Sequence, residues 1–332
     1  MSERKKPISP ILWPLLGLVA LVVLNLVLNH GFLNISVLDG RLYGLPVDIL
    51  NQGARGLVLA LGMTLVIATG GVDLSVGSVM AVAGAVAAVL LAKGSGLALA
   101  LGAGLALAVL AGGANGLLVA RLGIQPIVAT LILMVVGRGA AQLITNGEVV
   151  VVKSAAFEFL GNGHVLGLPF APLLACVLFL AAHFFLRRTA AGLFIEAVGD
   201  NEQAARFAGL AAARVKGLVY VFCGLCAGLA GLMAAANIRA ADSYRMGENM
   251  ELDAIFAVVV GGTALTGGRF LLLGAFVGAL LLQTLTTTMY NLGVPPAVAP
   301  VPKAILILVV CLLQSEHARR WFGGLFKKGG RA

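Results

Sequence analysis

Charge is scarce in this chain. Asp, Glu, Lys and Arg together make up 11% of its 332 residues, against roughly 25% in an ordinary soluble domain, which excludes a fully hydrated surface. With 60% of residues hydrophobic, no stretch is polar enough to form a second, water-soluble domain, so one domain over 1–332 is expected. Several catalytic signatures are missing as well. A phosphate-binding P-loop needs glycine directly before its lysine so that backbone amides can wrap a phosphate; the nearest approach, GEVVVVKS from Gly147 to Ser154, has Val152 there. Neither an H-E-x-x-H metal motif nor a G-x-S-x-G nucleophile elbow occurs. The reading is a chain that is not an enzyme, binds no metal and carries no cofactor itself. Cysteine is limited to Cys176, Cys223, Cys226 and Cys311, all in apolar stretches. The C-x-x-C of Cys223 and Cys226 is read as packing, because a redox pair needs solvent or partner access.

What is abundant is long apolar runs. A hydrocarbon core of about 30 Å is spanned by about 20 apolar helical residues. Ten candidate spans follow: about Ile11–Asn29, Ala54–Gly70, Leu74–Ala92, Leu97–Ala120, Ile127–Thr145, Leu168–Leu186, Gly217–Ile238, Ala254–Leu265, Leu271–Tyr290 and Ala297–Gln314. The first follows Arg4, Lys5 and Lys6 but lacks a small-residue cleavage site, so it reads as an uncleaved span. The fold class is therefore an all-α polytopic membrane protein with about ten transmembrane helices. The 44 glycines read mainly as packing, since small residues let membrane helices approach closely. Basic residues set the orientation. With both termini cytoplasmic, fifteen Lys and Arg fall inside, seven outside (Arg41, Arg55, Lys93, Lys153, Arg239, Arg245, Lys303) and Arg138 within the fifth span. The formal charge of +9 thus reflects topology, and no nucleic-acid partner is expected.

One polar interruption stands out: VGDNEQAARFAGL, Val198 to Leu210, within the longest internal cytoplasmic segment, 187–216. Asp200 and Asn201 are good N-caps, Glu202 suits the positive end of a helix dipole and Gly209 suits a stop. A helix of about two turns is predicted. On it Glu202, Gln203 and Arg206 share one side, while Ala204, Ala205 and Ala208 share the other, a small-residue face able to press into a groove on a soluble partner. A solvated helix lying on the membrane surface is the plainer alternative. Two glycine-rich sites also interrupt apolar runs: Gly70, Gly71, Asp73, Ser75 and Gly77, and later Gly261, Gly262, Gly267 and Gly268. Backbone opened at membrane depth must line protein or a watery cavity, and paired breaks point to a translocation site; equally, they could be tight turns with Asp73 capping the next helix. Arg138, costly in mid-span, needs a partner or a cavity, and Asp73, Glu148, Glu251 and Asp253 are the acids available.

The stretch RRTAAGLFIEAVGDNEQAARFAGL resembles the cytoplasmic loop of bacterial sugar ABC-transporter permeases of the ribose and galactofuranose class. ATGGVDLSVGSVMAVAGAVAA and ELDAIFAVVVGGTALTGGRFLLLGAFVGALLL resemble that family's early and late glycine-rich signatures. DGRLYGLPVDILNQ and VATLILMVVGRGAAQLIT are most similar to the galactofuranose-type members. The resemblance implies a multi-pass permease subunit in the bacterial inner membrane that forms the pathway of a monosaccharide importer. It implies a separate ABC ATPase that uses ATP and Mg, and a periplasmic sugar-binding protein that supplies affinity, in keeping with the sparse aromatics, 6%. A second permease subunit completes the pathway, as a homodimer on the ribose pattern or a heterodimer on the galactofuranose one. Asp200, Asn201, Glu202, Ala204, Ala205, Arg206, Ala208 and Gly209 are then candidates for ATPase coupling. Gly70, Gly71, Asp73, Ser75, Arg138, Gly261, Gly262, Gly267 and Gly268 are candidates for translocation or gating. The alternative is a self-contained secondary transporter or channel, which would need an intramembrane ion site.

Overall fold

The structure is a computed structural model and describes residues 11–29, 31–38, 40–295 and 297–314. The basic residues expected at the two termini, Arg4, Lys5, Lys6, Arg319, Arg320, Lys327, Lys328 and Arg331, lie outside the described residues. Each of the ten apolar runs holds a helix: α1 (Leu12–Leu28), α2 (Leu45–Ala68), α3 (Val76–Ala92), α4 (Leu97–Ala120), α5 (Pro126–Thr145), α7 (Phe170–Arg188), α10 (Ala212–Ile238), α11 (Met250–Val260), α12 (Leu272–Asn291) and α13 (Pro300–Gln314). Between them lie three short helices outside the predicted spans: α6 (Ala155–Asn162), α8 (Ala190–Asp200) and α9 (Glu202–Phe207). Among the described residues six helices, α2, α4, α5, α7, α10 and α12, are long and apolar enough to cross a membrane. Three two-stranded antiparallel ribbons complete the described elements: β1 (Ser36–Leu38) with β2 (Arg41–Tyr43), β3 (Val150–Val151) with β6 (Ala240–Ala241), and β4 (His164–Val165) with β5 (Leu168–Pro169).

Helices α2 and α10 form the centre of the bundle, with most of their apolar windows buried, whereas α4, α5 and α7 bury only a minority of theirs and turn leucine and valine outward. The α4–α10 seam shows how glycine builds this core. Gly104, Ala108, Gly112 and Gly116 recur every four residues on α4, and all are buried. A methyl on Gly112 would overlap the Tyr220 carbonyl oxygen of α10, and one on Gly224 would overlap the Ala108 carbonyl oxygen of α4. Backbones this close gain dispersion contact where lipid offers no hydrophobic drive.

Element boundaries differ from the sequence reading where polar residues sit inside helices. The second helix starts at Leu45, with Pro in its first turn, rather than at Ala54. Arg55, counted on the outer side although the second run begins at Ala54, sits well inside the helix; a charge-free run cannot register a helix face that carries Asp48, Asn51, Gln52 and Arg55. The eighth helix ends at Val260, leaving 261–271 non-helical before α12. The polar interruption is two helices, not one. Asp200 closes α8 instead of capping the next helix, and Asn201 alone holds the cap position.

Contacts fix the directions of the helices. Gly62 of α2 faces Cys223 and Cys226 of α10, and Gly104 of α4 faces Leu232, so α2 and α4 run antiparallel to α10. Met80 and Gly84 of α3 face Gly231 and Ala235, so α3 runs parallel to it. One end of the bundle thus carries α8, α9 and the start of α10. The other carries the end of α10 and the 242–249 segment that follows it.

Candidate coupling and translocation site

The polar segment is a built structure. The Asn201 side chain accepts the Ala204 N–H at 2.9 Å, satisfying an amide that the first turn leaves without a partner. Glu202 accepts from Arg206 one turn on at 2.6 Å and from Lys216 of α10 at 2.5 Å. The Lys216 ammonium beside it holds the Glu202 carboxyl below its usual range, against the opposing effect of partial burial. At the far end, Gly209 adopts φ +86°. Its N–H reaches the Arg206 carbonyl, and the Leu210 N–H reaches back to Ala205 at 3.0 Å. These are the two bonds of a Schellman stop, which requires a left-handed residue where a β-carbon is unfavourable.

The faces of this helix are not those the small residues suggested. Ala205 is 5% exposed and packs with Val198 and Ala212 against Leu210 and Val215. Its face is covered by the chain itself and is not free to enter a groove elsewhere. Ala204 and Ala208 remain exposed. Phe207, which composition did not single out, is 93% exposed. A phenyl ring in solvent is the one exposed large apolar group on α9, beside Leu193 and Phe194 exposed on α8, and its signal in the sequence is an aromatic inside a polar stretch.

The two glycine-rich breaks, far apart in sequence, meet at the base of this segment. The Gly268 N–H donates to the Ala68 carbonyl at 2.9 Å, joining the end of α2 to the loop after α11. Gly199, near the end of α8, is wedged between them: a methyl there would overlap the Ala68 carbonyl oxygen and lie 2.6 Å from the Gly268 nitrogen. One on Gly267 would lie 2.8 Å from the Gly199 carbonyl oxygen and 2.9 Å from the Gly70 nitrogen. Gly70, Gly262, Gly267 and Gly268 all have positive φ, so these breaks are tight turns. Gly261 is the close-packing member of the late break, because a methyl on it would overlap Gly274 of α12. The close approach of α11 to α12 at this break is made by Gly261. Gly71 is pressed by Tyr220, whose hydroxyl oxygen would lie 2.6 Å from an added methyl.

Above the first turn sits a buried polar cluster. Asp73, 1% exposed, accepts the Ser75 N–H at 2.9 Å, the Ser75 hydroxyl at 2.6 Å and the Asn115 amide at 3.3 Å, with the Cys223 thiol a further donor. Asn115 also donates to the Ser75 hydroxyl at 2.9 Å. Asp73 therefore organises the entry to α3 and ties it to α4. Buried carboxylates are tolerated only with such donors. Asn115 was not foreseen, yet it is the only polar side chain in α4, and a lone amide in an apolar span is itself a signal.

Arg138 forms no direct salt bridge with the four acids available in sequence, although Glu251 lies within reach of its charge. Its guanidinium donates to the backbone carbonyls of Ser243 at 3.2 Å, Tyr244 at 3.4 Å and Met246 at 2.6 Å. It thereby clamps the 242–249 segment onto α5, beside a Thr145 to Ser243 hydroxyl bond of 3.0 Å. The same segment presses Gly247 against Gly77 of α3, backbone to backbone. It so folds back into the bundle and starts α11 part-way along it. Asp253, in the first turn of α11, pairs with Lys303 of α13 at 2.7 Å. Among the described residues no group of three or more His, Cys, Asp and Glu is placed to hold a metal ion.

A bundle of membrane-length helices, interrupted by paired glycine turns and a half-length helix, with a structured polar segment docked on those turns, defines a transport permease. The chain belongs to the family described as branched-chain amino acid transport system / permease component, whose model matches residues 45–311. It is 49% identical to the galactofuranose transporter permease protein YtfT of Escherichia coli K12 over 90% of this chain and 88% of that one. It is 39% identical to the fructose import permease protein FruF of Bifidobacterium longum over 96% and 92%, and 37% identical to the ribose import permease protein RbsC of Escherichia coli K12 over 91% and 92%.

Proposed function

We propose that this chain is the permease subunit of an ATP-binding cassette importer for a monosaccharide, of galactofuranose or ribose-like type. The observation that carries the reading is likeness over nearly the whole chain to permeases named for galactofuranose, fructose, ribose and, at 36% identity over 85% of this chain, L-arabinose. The family description names branched-chain amino acids, but these full-length relatives take sugars. In this reading the subunit lies in the bacterial inner membrane with ten spans and both termini in the cytoplasm, which puts segment 187–216 on the side that the excess of Lys and Arg favours. It works with a second permease subunit, a periplasmic sugar-binding protein and a separate ATPase that binds ATP and Mg.

The geometry supports a specific route for coupling. The ATPase engages the exposed side of α9, with Phe207 as the apolar anchor and Ala204 and Ala208 beside it. Movement of α9 reaches α8 through Asn201 and the Ala205 contacts. Gly199 then presses on both glycine turns at once, shifting the end of α2 relative to the loop before α12. Arg138 and the Asp73 cluster act further along the pathway, holding the returning segment and the start of α3. Reconstitution tests the whole reading: ribose or galactose uptake into proteoliposomes should require the permease, the ATPase, ATP and the binding protein together. Uptake by this chain alone, driven by an ion gradient and indifferent to ATP, would refute it.

A further inference from the structure

At the end of the bundle opposite α8 and α9, a cavity of about 370 Å³ opens between α2, α3, α10, α12 and the 242–249 segment. That volume lies within the range of about 300–1,000 Å³ typical of small-molecule sites. Its polar wall is Gln52 and Arg55 from α2, Gln283 from α12, and Asp242, Arg245 and Glu248 from the returning segment. Arg55 lies almost three turns into α2, on the face that also carries Asp48, Asn51 and Gln52, and makes no hydrogen bond or ion pair with the protein among the described residues. A guanidinium in a membrane-length helix is costly unless it faces water or a polar ligand, and this one faces the cavity.

The chemistry of the wall selects a ligand class. Two guanidiniums and two carboxylates balance to zero net charge, which gives neither an inorganic anion nor a cation an advantage. Guanidinium donates only, carboxylate accepts only, and the two carboxamides do both. Asp242 already accepts the Tyr244 and Arg245 N–H groups through Oδ1, and Gln283 donates to Thr287, so a neutral ring bearing several hydroxyls, each donor and acceptor, finds Gln52, Arg55, Arg245 and Glu248 as its main partners. No aromatic ring lines the cavity, so binding is weak, as suits a site that must release its occupant onward. Below it, Gly247 against Gly77 and the Arg138 clamp close the way toward the Asp73 cluster. From Arg55 to the Ala68 junction is thirteen residues of helix, or about 20 Å.

Resting on the monosaccharide-import reading, we propose that this cavity is a transit site for one sugar molecule inside the permease, with Arg55 and Glu248 as its principal hydrogen-bonding groups. The test is saturation-transfer-difference NMR on the full-length permease in lipid nanodiscs with D-galactose and D-ribose at millimolar concentration, run beside uptake of the same sugars by the complete transporter. A sugar that is imported should receive saturation from the permease alone. Arg55→Gln and Glu248→Gln should each reduce that transfer at least fivefold, and Arg55→Lys should retain about half. In the complete transporter Arg55→Gln should lower sugar moved per ATP hydrolysed at least fivefold at unchanged membrane abundance. An imported sugar that gives no transfer, or the same transfer in both glutamine variants, would overturn the site and leave the import function standing. Failure of the wild-type transporter to import any monosaccharide would overturn both, and uptake alone distinguishes that case.

Discussion

Replacing Phe207 with alanine isolates the contact on which ATPase coupling depends. The ring is 93% exposed in the permease, so truncation removes no internal packing and leaves the Asn201 cap, the Glu202 ion pairs and the Gly209 stop in place. Burying a phenylalanine side chain in a partner contributes about 1.5–3 kcal/mol, and losing it weakens association by roughly ten- to 150-fold. Binding of the purified ATPase to immobilised permease nanodiscs should fall by that factor, and ATP-driven uptake should fall with it, at unchanged membrane abundance. Ala205→Trp provides the contrast. Its site is already filled by Val198, Leu210, Ala212 and Val215, and overpacking there costs about 1–3 kcal/mol. The expected result is a loosened segment, seen as faster tryptic cleavage at Arg206, before any effect on the partner. Wild-type ATPase affinity and uptake in Phe207→Ala would refute the assignment of the exposed face as the docking face.

Gly199→Ala should separate hydrolysis from transport: its methyl overlaps Ala68 and forces the three-way junction apart, so sugar moved per ATP should fall at least tenfold while ATPase binding, made elsewhere, is retained. Arg138→Leu frees three carbonyls; charge-assisted bonds contribute about 1.5–3 kcal/mol, so amide exchange across 242–249 should accelerate by roughly tenfold or more, with no acceleration in α12. Asp73→Ala strands the Ser75 N–H and hydroxyl, at about 1–3 kcal/mol, and should lower the detergent-solubilised melting midpoint together with uptake. The pH dependence of α9 follows from Glu202. Its carboxyl is depressed below the ordinary value of 4.5, so its contribution to stability is fully present above that value and is lost as pH falls through the folded value. Protection of amides 202–209 should therefore decrease on acidification below about pH 4.5, and Lys216→Met should abolish most of that dependence.

The long apolar helices and the places of the polar exceptions are legible in the amino-acid order alone, whereas the short helices α6 and α8 are not. Hydropathy is local, and so are capping and the left-handed stop, which is why Asn201 and Gly209 could be assigned from neighbours alone. The amino-acid order also marks both glycine breaks and the cost of Arg138. What these features touch depends on packing between segments far apart in the chain. Gly70, Gly199 and Gly267 become one junction because α2, α8 and the loop after α11 are brought together by packing elsewhere in the bundle. Helical periodicity grouped Ala204, Ala205 and Ala208 on one face, but whether that face is covered depends on α10, whose Ala212 and Val215 close over Ala205 and leave Phe207 outside. Arg138 hydrogen-bonds carbonyls directly, with Glu251 only within reach of its charge, because the 242–249 segment folds back into the bundle, where Gly247 meets Gly77. Charge counting puts Arg55 on the outer side at the edge of the second run, and the cavity beside α2 is what makes a charged residue tolerable inside that helix.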